Sequence, residues 1–430
     1  MSKLKIKYNL IYVLCAIMPL HSMVVDKIIG AHTTGMVNLW RDLIIVVLVV
    51  FSRKLYLGNL QKFYCLFIGW ILLKAIFAIA KDESTLYLIG NMARIYIMPV
   101  LLFLVTSSLT LTKEQYRKIL QLMWLQGVLL TIFGMFQMFI LGSTFLTNLG
   151  YGSNGQLNYT YYISGFFGFQ RMVSTFSSAN DCGLYLAGLF VVAVVGREYI
   201  ESKYKRTYII GLAVIYGGII LTFSRTSLIA ATGTVVLYWV RTKEGKIDVN
   251  RVVLYTSLVV MMFIVAFTAD KVYLDGRITR MIQSSFTSTV GKTDASFLKH
   301  LEDLYLPILN LIDHPFGYTF GTNGPVALSI LERDKTHLVE SSIWLIGYES
   351  GWIGVFLYFT PILYFAWKMI FEKKEALKGK VSAAIALCDL VAFMTLPYCA
   401  SFEMPFLMFL FMGLDKGLGK HLSNSKEMIF

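Results

Sequence analysis

The sequence predicts an all-α integral membrane protein with about twelve transmembrane helices and a large extracytoplasmic loop. Of its 430 residues, 56% are hydrophobic and only 15% are charged, whereas soluble domains carry about 25% charged residues. Apolar runs such as 60–80 and 252–267 approach the roughly 20 residues that cross a bilayer core of about 30 Å. The whole chain, 1–430, is therefore interpreted as a single polytopic membrane domain.

The apolar segments divide the chain into successive predicted spans. The first combines a basic start with an apolar run, as a signal peptide does, but no small-residue cleavage site follows, so we interpret it as a retained helix. The five cysteines show no metal spacing and no disulfide framework. The predicted spans are 9–25, 35–51, 60–80, 85–107, 116–141, 180–196, 207–222, 226–240, 252–268, 341–367, 381–399 and 403–418.

Basic residues gather in alternate connections between these spans. The short connections on the other side are nearly free of lysine and arginine. By the positive-inside rule, both termini are predicted to be cytoplasmic, in a multi-pass protein of the cytoplasmic membrane. Most of the net charge of +13 is then explained by the basic connections on the cytoplasmic side, and nucleic-acid binding is not predicted. The basic clusters are 3–7, 53–62, 113–118, 197–206, 241–251, 368–380 and 416–426.

Two long connections face outward in this topology. The first outer loop, 142–179, is rich in glycine, asparagine and tyrosine. The large outer loop, 269–340, has regular apolar spacing in FLKHLEDLYLPILNLIDHPF. That spacing predicts one or two short amphipathic helices at the outer membrane face. Loops of this length are functional or disordered in compact proteins, so any chemistry is expected on this side.

Charged residues within apolar spans need a reason, since an arginine at the centre of a membrane helix costs about 2.5–3.5 kcal/mol. Arg225 lies in a tight turn between two predicted spans, flanked by hydroxyl side chains in the run SRTS. A planar, always charged guanidinium is a suitable clamp for phosphate oxygens. Snorkelling to the membrane interface is the alternative for Arg225, and it applies equally to Arg41 and Glu403.

Further arginines face the same side in this topology. Arg171 precedes a predicted span that opens with SSAND, a run that also suits helix capping without any function. Arg277 and Arg280 lie three residues apart, and they either bind anionic groups or form a solvated helix face. The three histidines of the large loop have few carboxylates nearby, so no metal site is predicted.

Four motifs occur in a fixed order over about 170–360. They are Arg171, Phe176 and Asn180 after the first outer loop, the SR turn in LTFSRTS, the DHPFGYTFGTNG run in the large loop, and the stretch that begins at Glu340. Together they resemble the O-antigen polymerase and O-antigen ligase superfamily of bacterial envelope glycan enzymes.

The last motif separates two branches of that superfamily. The ligase branch has His-[Asn/Ser/Gln]-x9-Gly-x-x-[Gly/Thr/Tyr] where the large loop re-enters the membrane. Here Glu340 and Ser341 are followed by nine residues and then by Gly351 and Gly354. The spacing fits, but Glu340 stands at the histidine position, and this departure favours a polysaccharide polymerase over a ligase.

The resemblance implies a GT-C-like glycosyltransferase that polymerises capsular polysaccharide, exopolysaccharide or O-antigen. Such an enzyme uses undecaprenyl-diphosphate-linked glycans at the outer face of the cytoplasmic membrane and needs no nucleotide sugar or cofactor. Its expected partners are the lipid-linked donor and acceptor, membrane lipids, and a chain-length regulator and flippase of the same pathway. Ligation to another acceptor and lipid-linked oligosaccharide flipping are the alternatives, although flippases tend to have short loops.

Roles for individual residues follow as hypotheses. Arg225, Arg171 and Arg280 are expected to bind the diphosphate, since cations stabilise the charge that develops on the leaving group. Glu340 is the expected general base for the acceptor hydroxyl, with His337 in reserve.

Asn323 and Ser341, which lie in the last two motifs, are expected substrate contacts. Tyr161 is expected to stack on a sugar together with its neighbours Tyr159 and Tyr162, and an interfacial aromatic belt is the alternative.

Glu349 is expected to act differently from Glu340. Nine residues along a helix place it about 180° around the axis and roughly 13 Å deeper. We therefore predict that Glu349 bonds to a neighbouring helix rather than joining Glu340 in an acid–base pair. Gly351 and Gly354 are expected to allow close packing.

Overall fold

The computed structural model describes residues 3–29, 39–52, 57–82, 84–152, 156–163, 169–199, 205–241, 305–328, 341–372 and 380–427, with a few isolated positions besides. Within these ranges the chain is mainly helical, and Tyr162 and Gln170 form an isolated antiparallel β-bridge. The helices are α1 Lys3–Ile17, α2 Trp40–Phe51, α3 Asn59–Ala80, α4 Leu86–Thr106, α5 Lys113–Phe136, α6 Gly142–Asn148, α7 Ala179–Gly196, α8 Lys205–Leu221, α9 Arg225–Val240, α10 305–313, α11 Gly324–Leu328, α12 Ser342–Phe371, α13 Ser382–Phe393 and α14 Glu403–Glu427.

Five helical stretches in the described part of the chain are long and apolar enough to cross a membrane. They are Asn59–Ala80, Leu86–Thr106, Lys113–Asn148, Ala179–Tyr199 and Ser342–Phe371. The predicted all-α membrane protein is thereby confirmed. The predicted span 252–268 lies outside the described residues apart from isolated positions, and the count of about twelve spans and the GT-C-like fold stay predictions.

Helix α7 lies at the centre of the bundle because its sequence is apolar on every side. All of its residues except Asn180 and Asp181 are buried. A helix that is hydrophobic all round is a core helix, and small residues let its neighbours approach closely. A Cβ on Gly188, for example, would lie 3.0 Å from side-chain atoms of Ile385 and Leu407.

Two cross-helix contacts identify the two ends of the bundle. At one end, which we call the Asp415 end, the Tyr116 hydroxyl donates to Asp415 Oδ1 (2.5 Å). At the other, which we call the Arg171 end, the hydroxyl oxygens of Thr226 and Thr395 lie 3.2 Å apart. Each pair joins residues that the charge pattern predicts on the same side. The charge pattern also predicts that the Arg171 end faces outward.

The predicted span 381–399 is wrong at its C-terminal end, because α13 ends at Phe393. Pro397 explains the difference, since a proline has no N–H to donate and disfavours helical backbone in the residue before it. A turn follows, and a 3-10 segment resumes at Tyr398–Ala400. The turn leaves the Leu396 carbonyl free to accept hydrogen bonds from another helix.

Helix α12 is broken at Gly351, where the backbone adopts φ 67° and ψ −172°. The turn at 315–318 lies against the break and supplies the missing backbone partners. The Tyr318 N–H donates to the Tyr348 carbonyl (2.6 Å), and the Trp352 N–H donates to the Pro315 carbonyl (3.0 Å). Non-helical backbone is tolerated at membrane depth where protein satisfies its polar groups. The close approach predicted for Gly351 is therefore to a loop.

Replacement of Gly351 tests this arrangement. A Cβ at this position would lie 2.4 Å from the Pro315 carbonyl oxygen, and the positive φ disfavours any side chain. We expect Gly351→Ala to destabilise the protein by at least about 2 kcal/mol. The midpoint of thermal unfolding in detergent can be followed with a thiol-reactive dye, because Cys15, Cys182, Cys388 and Cys399 are buried.

The matched control is Gly233→Ala in α9, where an added Cβ meets no atom within 4 Å. Its midpoint should stay the same or rise, since alanine favours helix over glycine by about 1 kcal/mol. Equal midpoints for both variants would contradict the described contact between α12 and the loop.

Candidate functional site

The strap 169–178 carries Arg171 across the end of α8 and into α7. The Arg171 N–H donates to the Tyr161 carbonyl (2.8 Å), and the Met172 N–H donates to the Leu221 carbonyl (3.0 Å). The strap ends at Ser178, which is the N-cap of α7 and whose hydroxyl oxygen accepts from the Asp181 N–H (3.1 Å). The predicted capping function of this run is therefore confirmed.

The Arg171 side chain is held by three neutral acceptors. Its Nε donates to the Thr222 carbonyl (2.8 Å), its Nη1 to the Thr160 carbonyl (3.1 Å) and its Nη2 to Asn180 Oδ1 (2.7 Å). None of these groups carries a negative charge. Within the described ranges Arg171 has no ion pair, so its charge is oriented but not neutralised.

Arg225 is the first residue of α9 and is exposed to solvent or ligand. Ser224 caps the helix by accepting from the Ser227 N–H (3.4 Å). Among the described residues, Arg225 has no hydrogen bond or ion pair. The helix N-terminus adds a partial positive charge to that of the guanidinium.

The two arginines lie within electrostatic range of each other. Burial lowers the pKa of the Arg171 guanidinium, Tyr398 opposes this effect, and Arg225 lowers the pKa further because like charges repel. The neighbouring acid Asp181 accepts a hydrogen bond from the Ser178 hydroxyl instead (2.7 Å). This corner of the Arg171 end therefore carries unbalanced positive charge, which suits an anion.

The start of α12 reaches the same corner through the turn after α13. The Ser341 hydroxyl donates to the Phe393 carbonyl (3.1 Å), and the Ser342 hydroxyl donates to the Leu396 carbonyl (2.7 Å). Thr395, in that turn, lies against Thr226, which follows Arg225. The structure thus brings Ser341, Arg225 and Arg171 to one corner of the bundle.

Three predicted residues, Glu340, His337 and Arg280, lie outside the described residues. Glu340 directly precedes the buried Ser341 in the chain. Its predicted function, and those of His337 and Arg280, stay hypotheses.

Tyr161 is placed inside the first outer loop. Its hydroxyl donates to the Ser177 carbonyl (2.8 Å), and its buried ring meets that of Tyr151 edge-on at 6.0 Å. Burial raises the pKa of the Tyr161 hydroxyl, and Asp181 adds to the effect. The described contacts indicate that Tyr161 supports the loop that carries Arg171.

Asn323 lies at a clamp formed by Glu349. The buried Glu349 carboxylate accepts from the backbone N–H groups of Gly321 (2.6 Å) and Asn323 (2.9 Å). The Asn323 side chain donates to the Thr319 carbonyl (3.1 Å). Glu349 was expected to bond to a neighbouring helix, and this was wrong: its partners are backbone groups of the large loop, whose position could not be inferred from helix periodicity.

Lys74 of α3 fixes the same loop from the other side. Its Nζ donates to the carbonyls of Phe316 (2.9 Å) and Tyr318 (3.1 Å). One carboxylate therefore binds two backbone N–H groups of the loop, and one ammonium binds two of its carbonyls. Lys74 lies within the predicted span 60–80, and its partners in the large loop could not be inferred from the sequence.

A second charged cluster lies near the start of α14. The Arg41 guanidinium donates to Glu403 Oε1 (2.8 Å), and Arg94 donates to Asp42 Oδ2 (2.9 Å). His21 Nε2 lies 3.4 Å from Glu403. Arg41 and Glu403 are both buried, so snorkelling does not account for them. The two arginines are matched by two acids, and this cluster is a structural ion-pair network.

Metal binding has little support in the described part of the chain. No group of three histidine, cysteine, aspartate or glutamate side chains there could hold a metal ion. Of the histidines in the large loop, His314 is exposed, and His300 and His337 lie outside the described residues.

Comparison with known proteins identifies the family. The family model for WcaD colanic acid polymerase matches residues 27–416. The chain therefore belongs to the WcaD colanic acid polymerase family, a family of bacterial polysaccharide polymerases. This confirms the resemblance to the O-antigen polymerase superfamily that the motifs indicated. No curated protein sequence matches the chain.

Removal of the Glu349 charge tests the clamp. In Glu349→Gln one of the two backbone N–H groups faces an amide NH2 and loses its acceptor, at a cost of about 1–3 kcal/mol. We expect a lower unfolding midpoint in the cysteine-exposure assay, with the exposed Cys65 changed to serine in every sample to remove background.

Glu372→Gln is the matched control, since Glu372 is partly exposed and forms its ion pair with Lys368 near the helix surface (3.4 Å). Loss of such a pair costs at most about 1 kcal/mol. If the two variants unfold at the same temperature, Glu349 does not hold the loop.

Proposed function

We propose that the protein elongates a polysaccharide by transferring an undecaprenyl-diphosphate-linked glycan onto a lipid-linked repeat unit at the outer face of the cytoplasmic membrane. Membership of a polysaccharide polymerase family supports the reaction class. The site is inferred from one observation, the corner that Arg171 and Arg225 form. These two cations have no acidic partner among the described residues, whereas Arg41 and Arg94 are each paired with a carboxylate.

The proposed reaction breaks the bond between the anomeric carbon of the donor glycan and a diphosphate oxygen. A new bond forms between that carbon and a hydroxyl oxygen of the acceptor sugar. The diphosphate leaves with the bonding electron pair, and Arg225, Arg171 and Arg280 stabilise the charge that develops on it. Fixed donors are effective here because they need no reorganisation during the step.

Arg171 and Arg225 suit different parts of this task. Arg171 is held in place by three hydrogen bonds to neutral acceptors, so its orientation is set before the substrate arrives. Arg225 is exposed and has all its donors available within the described structure. A guanidinium with free donors can form the bidentate contact that phosphate favours.

We propose Glu340 as the general base that takes the proton of the acceptor hydroxyl, with His337 as the alternative. Two features support this. Glu340 occupies the position of the ligase histidine in the motif, and the residue that follows it, Ser341, packs at the corner that carries the arginines.

We propose that Ser341, Asn323 and Tyr161 act on the substrate indirectly, by holding other parts of the site in place. The described hydrogen bonds of all three go to protein atoms. We propose that Ser341 positions the start of α12, that Asn323 positions the large loop and that Tyr161 supports the loop around Arg171. The glycan then contacts the surfaces that these residues hold in place.

The protein is proposed to lie in the cytoplasmic membrane and to act with other proteins of its pathway. The distribution of lysine and arginine supports a protein of the cytoplasmic membrane with both termini in the cytoplasm. The proposed partners are the lipid-linked donor and acceptor, and a chain-length regulator and a flippase of the same pathway. Cell extracts of a deletion strain should then contain single lipid-linked repeat units, whereas full-length unattached polymer would indicate a ligase.

Arg225→Ala tests the diphosphate site. Loss of one preorganised donor to a developing negative charge lowers the rate of the chemical step by about 100- to 1,000-fold. We expect elongation of a lipid-linked repeat unit by the purified protein to fall by that amount, with Arg225→Lys intermediate because lysine keeps the charge without the planar fork.

Arg117→Ala is the control, since Arg117 lies near the Asp415 end and pairs with Glu114 (2.8 Å). It should elongate the repeat unit like the wild type. Normal elongation by Arg225→Ala would remove Arg225 from the site.

Glu340→Gln tests the general base. The amide has nearly the same shape but cannot accept the proton, so we expect long polymer to disappear while the amount of protein in the membrane stays normal. Polymer length can be read from a gel of cell-envelope glycans. Persistence of long polymer would shift the assignment to His337, which His337→Ala then tests in the same assay.

A further inference from the structure

Three phenylalanines form a continuous line from the arginine corner to the outside of the bundle. The Phe223 ring meets the Phe169 ring edge-on with centroids 6.1 Å apart, and Phe169 meets Phe139 at 6.5 Å. Phe139 is 62% exposed and Phe223 is 37% exposed. We call Phe139, Phe169 and Phe223 the aromatic track.

Exposed aromatic rings are common on membrane proteins, but the backbone at Phe223 is unusual. Its φ is +51°, a conformation that glycine or asparagine adopts readily and a bulky side chain rarely does. The surrounding bonds enforce it: the Phe223 N–H donates to the Ile220 carbonyl (2.9 Å), and Arg171 binds the carbonyl of Thr222. The chain keeps an aromatic ring at a strained position where the ring is only partly buried. Strain of this kind clusters at ligand-binding sites.

The track and the arginine corner are parts of one surface. Phe223 precedes Arg225 by two residues, and Phe169 precedes Arg171 by two residues. Each of the two cations is therefore joined through a short stretch of chain to a ring of the track. The complementary ligand has an anionic head and a long apolar chain.

We infer that the aromatic track binds the polyprenyl chain of the lipid-linked donor, next to its diphosphate at Arg171 and Arg225. This rests on the proposed function and adds the part of the substrate that the track recognises. Two neighbouring cations match the two phosphates of a prenyl diphosphate better than the single charge of a phospholipid phosphodiester. The branched, unsaturated chain offers methyl groups and planar double bonds to the faces and edges of the rings.

The test compares two donors that carry the same repeat unit and diphosphate but a long or a short prenyl chain. The quantity measured is the ratio of kcat/KM for the long donor to that for the short donor, with a fixed acceptor. We expect the wild type to prefer the long donor. Phe223→Ala should reduce that preference about tenfold, since the lost ring contact favours only the long chain. Phe223→Gly should do the same although it relieves the backbone strain, and Phe223→Trp should retain the preference.

Phe77→Ala is the matched control. Phe77 is 56% exposed on α3, a helix that packs against α4 and α12. Its ratio should equal that of the wild type. An unchanged ratio in both Phe223→Ala and Phe223→Gly would overturn the inference, and continued elongation by the same samples would leave the proposed function intact. If the wild type elongates neither donor, the proposed function fails and the inference fails with it.

A crosslinking measurement separates the prenyl chain from ordinary membrane lipid. In Phe139→p-benzoylphenylalanine, light should attach the long prenyl donor to the protein, and an excess of unlabelled prenyl diphosphate should prevent it. Vesicles of phosphatidylglycerol should not compete. Attachment of phospholipid alone, or equal competition by the vesicles, would show that the track is a general lipid surface.

Discussion

The need to satisfy backbone polar groups away from water is the constraint on which this bundle depends. Helix α12 breaks at Gly351, about 14 Å from its start by the rise of 1.5 Å per residue. The segment 315–318 takes up the freed groups, and Glu349 and Lys74 hold the rest of that loop from two sides. The described part of the large loop, 305–328, is thus packed into the membrane domain, and it fixes the first third of α12, whose start reaches the arginine corner.

Charge balance separates the structural polar groups from the functional ones. Arg41 and Arg94 are matched by Glu403 and Asp42, and a buried pair of this kind is retained because removal of one partner leaves an uncompensated charge. Arg171 instead binds only neutral acceptors among the described residues. An oriented cation without a counter-ion suits an anionic ligand, which we propose is the diphosphate of the donor.

Local signals were predictable from the sequence, and long-range partners were not. The predicted spans 60–80 and 226–240 match α3 and α9 to one residue, because apolar runs and capping residues such as Ser224 act within one helix turn. The bond between Arg171 and Asn180 joins two residues of one motif. Glu349 and Gly351 bind a loop about 30 residues earlier in the chain, and no periodicity encodes that contact. The early end of α13 could have been inferred from Pro397.

The most direct test of the central claim is a structure of the protein with a bound undecaprenyl-diphosphate-linked repeat unit. We expect the phosphate oxygens to lie within hydrogen-bond distance of the Arg225 guanidinium, with Arg171 beside them. The anomeric carbon that the acceptor hydroxyl attacks should then face the start of α12. A diphosphate bound instead at the Arg41–Glu403 network, or at the Asp415 end of the bundle, would contradict this expectation.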